Sequence, residues 1–535
     1  MNNRALRARQ VRYWLAAGLV TLVAAAFRFY RLDENSLTVD ESTIFMWAQS
    51  ILERGYPVLP SGSSEVQLAT YELYSYILAA FIGIFGTSDF AIRLASVVFG
   101  IGTTYVIFSA SCKWFDRRTG VLAGLLYATM PWAIFWSQDG FHPQSHQFFA
   151  ALTLVQAERI LQGTAVPARS YYLAALFFSC GFLCWEGLGF MLPILFVVGL
   201  IMRWGNWGWL QNRHLWIACA IVLVVIVVQG TRRILLLDNY LLIGSGRSEI
   251  SGPETAFLQP YYQPYFYADQ IFGGYAVFVV SLLFGLGLVF AHRNLRLRFL
   301  AIFVVASVFV MANLLSFYTL HYIYFALPAF VIVVAAATVL FVDWLAIRAA
   351  GLNLQARRLA STVVLGALAA LELSTAGAFG LKTYAITQSA KAPPPTAYGT
   401  RVGTEFVDYK GLGAAFNAYY PRGETVLVET AYSLGQYSGQ YGNFFMQSWT
   451  FSKVLFDPGG DRVYYIDKTS TSRSPVVRNQ RELDDILARN DRIWFVIQPA
   501  EVFTAAMDSS VLNYFQERSK LKAQTLNGAL YQWPR

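Results

Sequence analysis

The chain has 535 residues, of which 56% are hydrophobic and 14% charged. Soluble globular proteins carry about 25% charged residues, and a mean hydropathy of +0.43 leaves a surplus of apolar surface that only a lipid bilayer accommodates. The excess of 41 basic over 32 acidic residues, a net +9, does not read as nucleic-acid binding, because Lys and Arg of membrane proteins gather in cytoplasmic loops and set orientation.

The first stretch carries Arg4, Arg7, Arg9 and Arg12, then an apolar run from Trp14 to Phe27. The small residues that end the run resemble a cleavage site. Arg28 and aromatics follow directly, and many apolar spans come after, so we read an uncleaved anchor. Cys112, Cys180, Cys184 and Cys219 lie in or beside apolar runs. They read as small packing residues, with neither a disulfide framework nor zinc-ligand spacing.

A spanning helix needs about 20 mainly apolar residues. Candidates are Trp14 to Phe29, Phe90 to Ser111, Thr119 to Trp136, Gln144 to Ile160, Tyr171 to Trp185, Leu188 to Met202, Leu215 to Gly230, Ile271 to Ala291, Phe299 to Phe317, Tyr322 to Leu345 and Leu359 to Phe379. Tyr71 to Phe85 is a further apolar segment, and charge decides its case. If it lies in the interface, all the basic clusters share one side: the N-terminal arginines, Lys113/Arg117/Arg118, Arg159/Arg169, Arg203/Arg213, Arg293/Arg296/Arg298 and Arg348/Arg357/Arg358. If it spans, every cluster after the first moves outward. The positive-inside rule selects the first arrangement. The expectation is an α-helical multi-pass cell-membrane protein of about eleven spans, with the N-terminus cytoplasmic and a C-terminal α/β domain extracytoplasmic. Residues 1–390 form the membrane domain, including a first outer loop at 28–89 with interfacial helices, and 391–535 the second domain.

That topology gathers the unusual chemistry on the outer side. The first outer loop holds the acid pair Asp40-Glu41 at the start of a helical run, where Ser36, Asp40 and Ser42 are plausible caps. A carboxylate held near a bilayer is costly unless it is used. SQDGFHPQ (Ser137 to Gln144) holds Asp139 and His142; it reads as a solvated turn marked by Gly140 and Pro143, or as a polar wall facing Asp40. Glu186 in a short turn and His321 at a span end read singly as a water-facing and an interfacial group. Arg28, Arg31, Arg54, Arg93, Arg232, Arg233 and Arg247 are span-end cations, most of which should snorkel, with one or two fit to hold a phosphate. The loop Thr231 to Gln270 contains QPYYQPYFYADQ, read as an interfacial anchor or a stacking platform for a sugar.

The linker APPP (Ala392 to Pro395) breaks helix. After it come β-rich runs at Thr425 to Thr430, Arg462 to Ile466, Arg492 to Ile497 and Ala529 to Trp533, with amphipathic stretches between. Their alternation predicts a small α/β domain with a largely parallel sheet. No GxGxxG or P-loop supports a nucleotide role.

The acid pair before a helix, then ILERGYPVLPSG, then YELYSYILAAFIGIFGTSDFAIRLASVVFGIGTTYVIF, resembles the protein O-mannosyltransferase and aminoarabinose-transferase group of GT-C glycosyltransferases. The likeness continues through FDRRTGVLAGLLYATMPWAIFWSQ to HYIYFALPAF. It implies a polyprenyl-phosphate sugar donor and inverting transfer to a hydroxyl of a protein, lipid or glycan in the cell envelope. It makes Asp40 the general base, with Glu41 beside it. Two family cations are replaced: Ser-Arg after the third span is Ser137-Gln138 here, and Lys-Gly after the fifth is Glu186-Gly187. Replacement donor-phosphate or substrate contacts are sought among Arg93, Asp139, His142, His321, Tyr322 and Glu186.

The chemistry agrees with one carboxylate plus cations. Displacement at an anomeric carbon needs a base for the acceptor hydroxyl, while a phosphate leaves without a strong acid, unlike glycoside hydrolysis with its two carboxylates. A divalent ion is compatible with the carboxylates but not demanded. The readings that compete are a non-catalytic scaffold derived from the family, in view of the lost cations, and a lipid or small-molecule transporter. Transporters place polar groups at mid-membrane, whereas here they crowd one face.

Overall fold

The computed structural model describes residues 3–61, 64–67, 69–163, 166–237, 294–314, 320–348, 362–368, 370, 408–428, 431–440, 442–445, 477, 480–497, 517–525 and 528–534. The span expected at Ile271 to Ala291, the Tyr/Pro-rich segment, the APPP linker, Arg247, the strand at Arg462 to Ile466 and most of the last span lie outside them. The expected boundary at 391 does too.

The membrane body is helical. α1 (Asn3–Phe29) turns Trp14, Leu15, Leu19 and Leu22 outward, each exposed, as a lipid-facing surface requires. The irregular stretch 30–37 leads to α2 (Val39–Arg54). A short hairpin, β1 (Val58–Ser61) with β2 (Ser64–Gln67), precedes α3 (Glu72–Phe85). At 14 residues α3 is about 21 Å long, too short to cross a bilayer upright. α4 (Asp89–Trp114) follows, capped by Ser88.

The single span expected at Thr119 to Trp136 is two helices, α5 (Arg117–Thr129) and α6 (Pro131–Gln138), bent by 58°. Pro131 supplies no N–H and forces Met130 to an extended conformation, so the ladder breaks there. α7 (Pro143–Gln162), α8 (Ala168–Cys184), α9 (Met191–Met202), α10 (Arg213–Leu237), α11 (Leu295–Leu314) and α12 (Leu327–Arg348) complete the described body. Among the described residues, four helices are long and apolar enough to cross a bilayer, or five with the bent pair; α8, with 17 residues, and α9, with 12, fall short of the about 20 that a spanning helix needs.

The basic clusters meet at one end of this bundle. Arg118 pairs with Asp343 at 2.8 Å, and Arg296 pairs with Glu158 at 2.9 Å while donating to the Trp114 carbonyl. Arg203 donates to the Gly163 carbonyl. The acid-pair region lies at the other end of α4, about 39 Å away for a 26-residue helix.

The C-terminal unit has α13 (Tyr409–Tyr419), β3 (Thr425–Val428), α14 (Ala431–Ser438), β4 (Phe444–Phe445), α15 (Gln480–Arg489), β5 (Ile493–Ile497), β6 (Lys520–Thr525) and β7 (Gly528–Trp533). The sheet order is β4-β3-β5-β7-β6. β4, β3 and β5 are parallel, but β7 and β6 run antiparallel, so the sheet is mixed rather than largely parallel. Every residue of the central strand β5 is buried: one face packs on Tyr409, Leu412 and Phe416, the other on Leu483 and Ile486. The edge strand β6, KLKAQT, is half exposed and has no apolar run to betray it.

Candidate active site

The site begins where α1 stops and α2 starts. α2 opens with a capping box: the Thr38 hydroxyl accepts from the Glu41 amide, and the Glu41 carboxylate accepts from the Thr38 amide at 2.8 Å. Both orphan donors are met reciprocally, which fixes the first turn. Asp40 lies inside that turn, on the positive end of the helix dipole.

Asp40 and Glu41 are adjacent in sequence and opposite in environment. Glu41 is buried, and Arg93 of α4 grips it with two N–H groups at 2.7 and 2.9 Å. The Gly140 amide adds a third bond at 2.7 Å. Asp40 is open to solvent, and among the described residues nothing hydrogen-bonds its carboxylate. Protein nonetheless crowds it. Its carboxyl pKa is pushed up to about 6, first by desolvation and then by the charge of Glu41. A raised pKa on an exposed carboxylate suits a base working near neutrality.

Arg93 spends all five N–H groups on the protein. Besides Glu41 it donates to the carbonyls of Leu32, Asn35 and Ser36, at 2.8, 3.1 and 3.0 Å. It holds the loop before α2 against α4, and no N–H is left for a donor phosphate.

The turn at Asp139 and His142, read as solvated or as a polar wall, is buried, with both residues enclosed, so the solvated reading does not hold. The Gln138 side-chain amide donates to the carbonyls of Phe27, Arg28 and Tyr30, stitching the turn to the end of α1. Gly140 is required for the close approach: a Cβ there would come 2.7 Å from Ile92 Cγ2 and 3.2 Å from Glu41 Oε1. His142 is the centre of a column of rings. Tyr71 stacks on it at 4.6 Å and Trp185 at 5.8 Å, with Trp47 beyond Tyr71 and Tyr322 beyond Trp185. His146, one turn along α7, places its Nδ1 3.3 Å from that of His142. Tyr71 adopts a positive φ of 50°, a conformation rare outside glycine and often kept at functional positions. His321 lies in the 3-10 turn Leu320–Ala326, and its side chain is outside the described residues.

Glu186 does not face water as expected. It is buried, accepting from Thr70 Oγ1 at 3.0 Å and from the Tyr71 amide and Gln229 at 3.3 Å. Arg233 of α10 lies 3.7 Å from its Oε2, and Arg232 pairs with Glu72 at 2.6 Å. Arg28, expected to snorkel, is fully buried: it donates to Ser137 Oγ at 2.9 Å and to the Ala128 carbonyl at 3.0 Å, over the ring of Tyr127. Gln144, Tyr127 and Tyr324 extend this polar layer. Among the described residues, no group of three His, Cys, Asp or Glu is arranged to hold a metal ion.

Residues 73–230 match the sequence model of the dolichyl-phosphate-mannose-protein mannosyltransferase family. The match holds Arg93, Asp139, His142 and Glu186; Asp40 and Glu41 precede it. ArnT of Cupriavidus metallidurans in the apo state aligns over 99% of this chain and 98% of its own, at 13% identity and a TM-score of 0.62. The chain therefore shares the fold of ArnT over nearly its whole length. The same ArnT bound to undecaprenyl phosphate aligns over 97% and 98%, at 14% identity and a TM-score of 0.58. The oligosaccharyltransferase AglB of Archaeoglobus fulgidus, in complex with an inhibitory peptide and a dolichol-phosphate, covers 92% of this chain and 70% of its own at 12% identity, with a TM-score of 0.51. No curated protein matches the sequence. The GT-C resemblance read from sequence is borne out, together with a helical membrane fold carrying a small C-terminal sheet; the count of eleven spans is not part of that agreement.

Proposed function

We propose that this protein is an inverting glycosyltransferase that moves a sugar from a polyprenyl-phosphate carrier to a hydroxyl acceptor on the outer face of the cell membrane. The observation that carries this reading is the division of the acid pair: Glu41 is consumed by Arg93 and Gly140, while Asp40 stays open with a raised pKa. Asp40 takes the proton of the acceptor hydroxyl as its oxygen bonds to the anomeric carbon. The bond from that carbon to the phosphate oxygen breaks on the far face, and polyprenyl phosphate departs with the electron pair. One displacement inverts the configuration, and a phosphate leaving group needs stabilising charge rather than a strong acid.

The cation for that phosphate is assigned to Arg233. The family lysine is Glu186 here, yet Glu186 draws the Arg233 guanidinium to the same turn, 3.7 Å away. The swap brings a guanidinium to that place from α10, paired with Glu186. His142 and Tyr322 belong to the ring column beside it, and we assign that column to the sugar. ArnT, which has a structure with undecaprenyl phosphate, supports the lipid-phosphate class of donor. Orientation with the C-terminal unit outside is supported by the gathering of Arg118, Arg203 and Arg296 at the end of the bundle away from Asp40.

The test is to offer purified protein a panel of polyprenyl-phosphate sugars with a hydroxyl acceptor and to determine the anomeric configuration of the product. An inverted product from one donor supports the reading. A retained configuration, or no turnover of any donor by folded protein, overturns it; the second outcome favours the scaffold.

A further inference from the structure

The stretch between α1 and α2 has no repeating secondary structure, so its carbonyls need partners from elsewhere. Two cations supply them. From the membrane body, Arg93 takes the carbonyls of Leu32, Asn35 and Ser36. From the C-terminal unit, Lys410 takes those of Asp33 at 2.6 Å and Asn35 at 3.2 Å. The two cations share Asn35 and approach it from different domains.

Lys410 does more than reach. Asp408 caps α13, so the Lys410 amide is one of that helix's unpaired N-terminal donors, and it donates to Ser36 Oγ at 3.0 Å. The ammonium also pairs with Asp89, in the first turn of α4, at 2.8 Å. Tyr437 of α14 completes the grip. Its hydroxyl accepts from the Leu37 amide at 2.7 Å and donates to Asp89 Oδ2 at 2.8 Å, and its ring lies 5.9 Å from the Lys410 ammonium. The hydroxyl is held in its neutral donor form by burial and by the Asp89 charge, which push its pKa up. Asp89 is buried and sits one turn before Arg93 on α4. Apart from the two contacts to Asp89, the polar contacts of Lys410 and Tyr437 converge on residues 33–37, which end one residue before the Thr38 cap and three before Asp40.

We infer that Lys410 and Tyr437 of the C-terminal domain are positioning residues for the reaction: together with Asp89 they hold the loop that sets the position of Asp40. The catalytic part of this inference rests on Asp40 being the base. The domain is therefore part of the active site's scaffold, and anything that shifts it on α4 moves the base. A displacement of about 1 Å at a reacting group costs up to roughly 100-fold in rate.

The test uses the full-length protein in detergent or proteoliposomes, with Lys410→Met, Lys410→Arg and Tyr437→Phe beside wild type. Hydrogen–deuterium exchange of the peptide covering 30–42 is measured together with kcat and donor KM. Lys410→Met and Tyr437→Phe should speed exchange at the Leu37 amide by about tenfold, while α4 and β5 keep wild-type protection. Their kcat should fall about 10- to 100-fold with donor KM within about twofold, because aim is lost and donor contacts are not. Lys410→Arg, which keeps a cation, should recover part of both. Unchanged exchange in both variants overturns the grip itself. Faster exchange with wild-type kcat overturns the positioning role. Full activity of Asp40→Asn would instead overturn the base assignment, and the exchange data would still decide whether the grip exists.

Discussion

Arg93 and Glu41, 52 residues apart, form a buried ion pair at 2.7 Å, and this pair sets what each acid of Asp40-Glu41 does. A buried carboxylate is stable as an anion only when paired and hydrogen-bonded. Glu41 meets that condition with Arg93 and Gly140. Asp40, left outside the pair, keeps its lone pairs for a ligand.

Breaking this pair should unsettle the fold before it affects the chemistry. Arg93→Met leaves the Glu41 charge buried and takes the Arg93 donors from the carbonyls of Leu32 and Ser36, while Asn35 keeps Lys410. The expected cost is about 3–5 kcal/mol, read as a lower Tm in detergent. Asp40→Asn should leave Tm at or above wild type, because it removes a charge that its surroundings disfavour.

The pH dependence follows from the open carboxylate. A carboxyl pKa raised to about 6 means the base is ionised above that pH and protonated below it. The kcat/KM should be level above pH about 7 and fall about tenfold per unit below pH 6. The residual rate of Asp40→Asn should lack that limb.

Both the fold and the site were partly legible in the sequence, for physical reasons that differ by element. The helices followed from apolar length, and the acid pair stood out by its position after the first span. The break at Pro131 shortened an expected span because one missing N–H outweighed an apolar run. Arg28 and Glu186 were read as surface groups since nothing local shows that Ser137, Gln229 and Arg233 fold against them. The polar run QSHQ near the start of α7 was the visible signal of a buried polar layer, since four such residues in a membrane helix need partners. Asp89, Lys410 and Tyr437 left no signal, because their meeting spans more than 300 residues of sequence.

Gly140 offers a geometric test. In Gly140→Ala the new methyl group would press on Ile92 and on the Glu41 oxygen. The cost should be about 1–3 kcal/mol of stability, with loss of activity larger than the Tm shift alone explains. A variant with unchanged Tm and turnover would contradict the close approach of the turn to Glu41.

Arg233 separates donor binding from the base. Arg233→Gln should raise donor KM about tenfold or more and leave the pH limb near 6 in place. A change confined to the pH profile would remove Arg233 from the phosphate.

The most direct test of the central claim is release of polyprenyl phosphate from a polyprenyl-phosphate sugar, with wild type and Asp40→Asn compared at equal Tm. The account predicts release by wild type in the presence of a hydroxyl acceptor, reduced about 10²- to 10⁴-fold in the variant. Equal release by both proteins would contradict it.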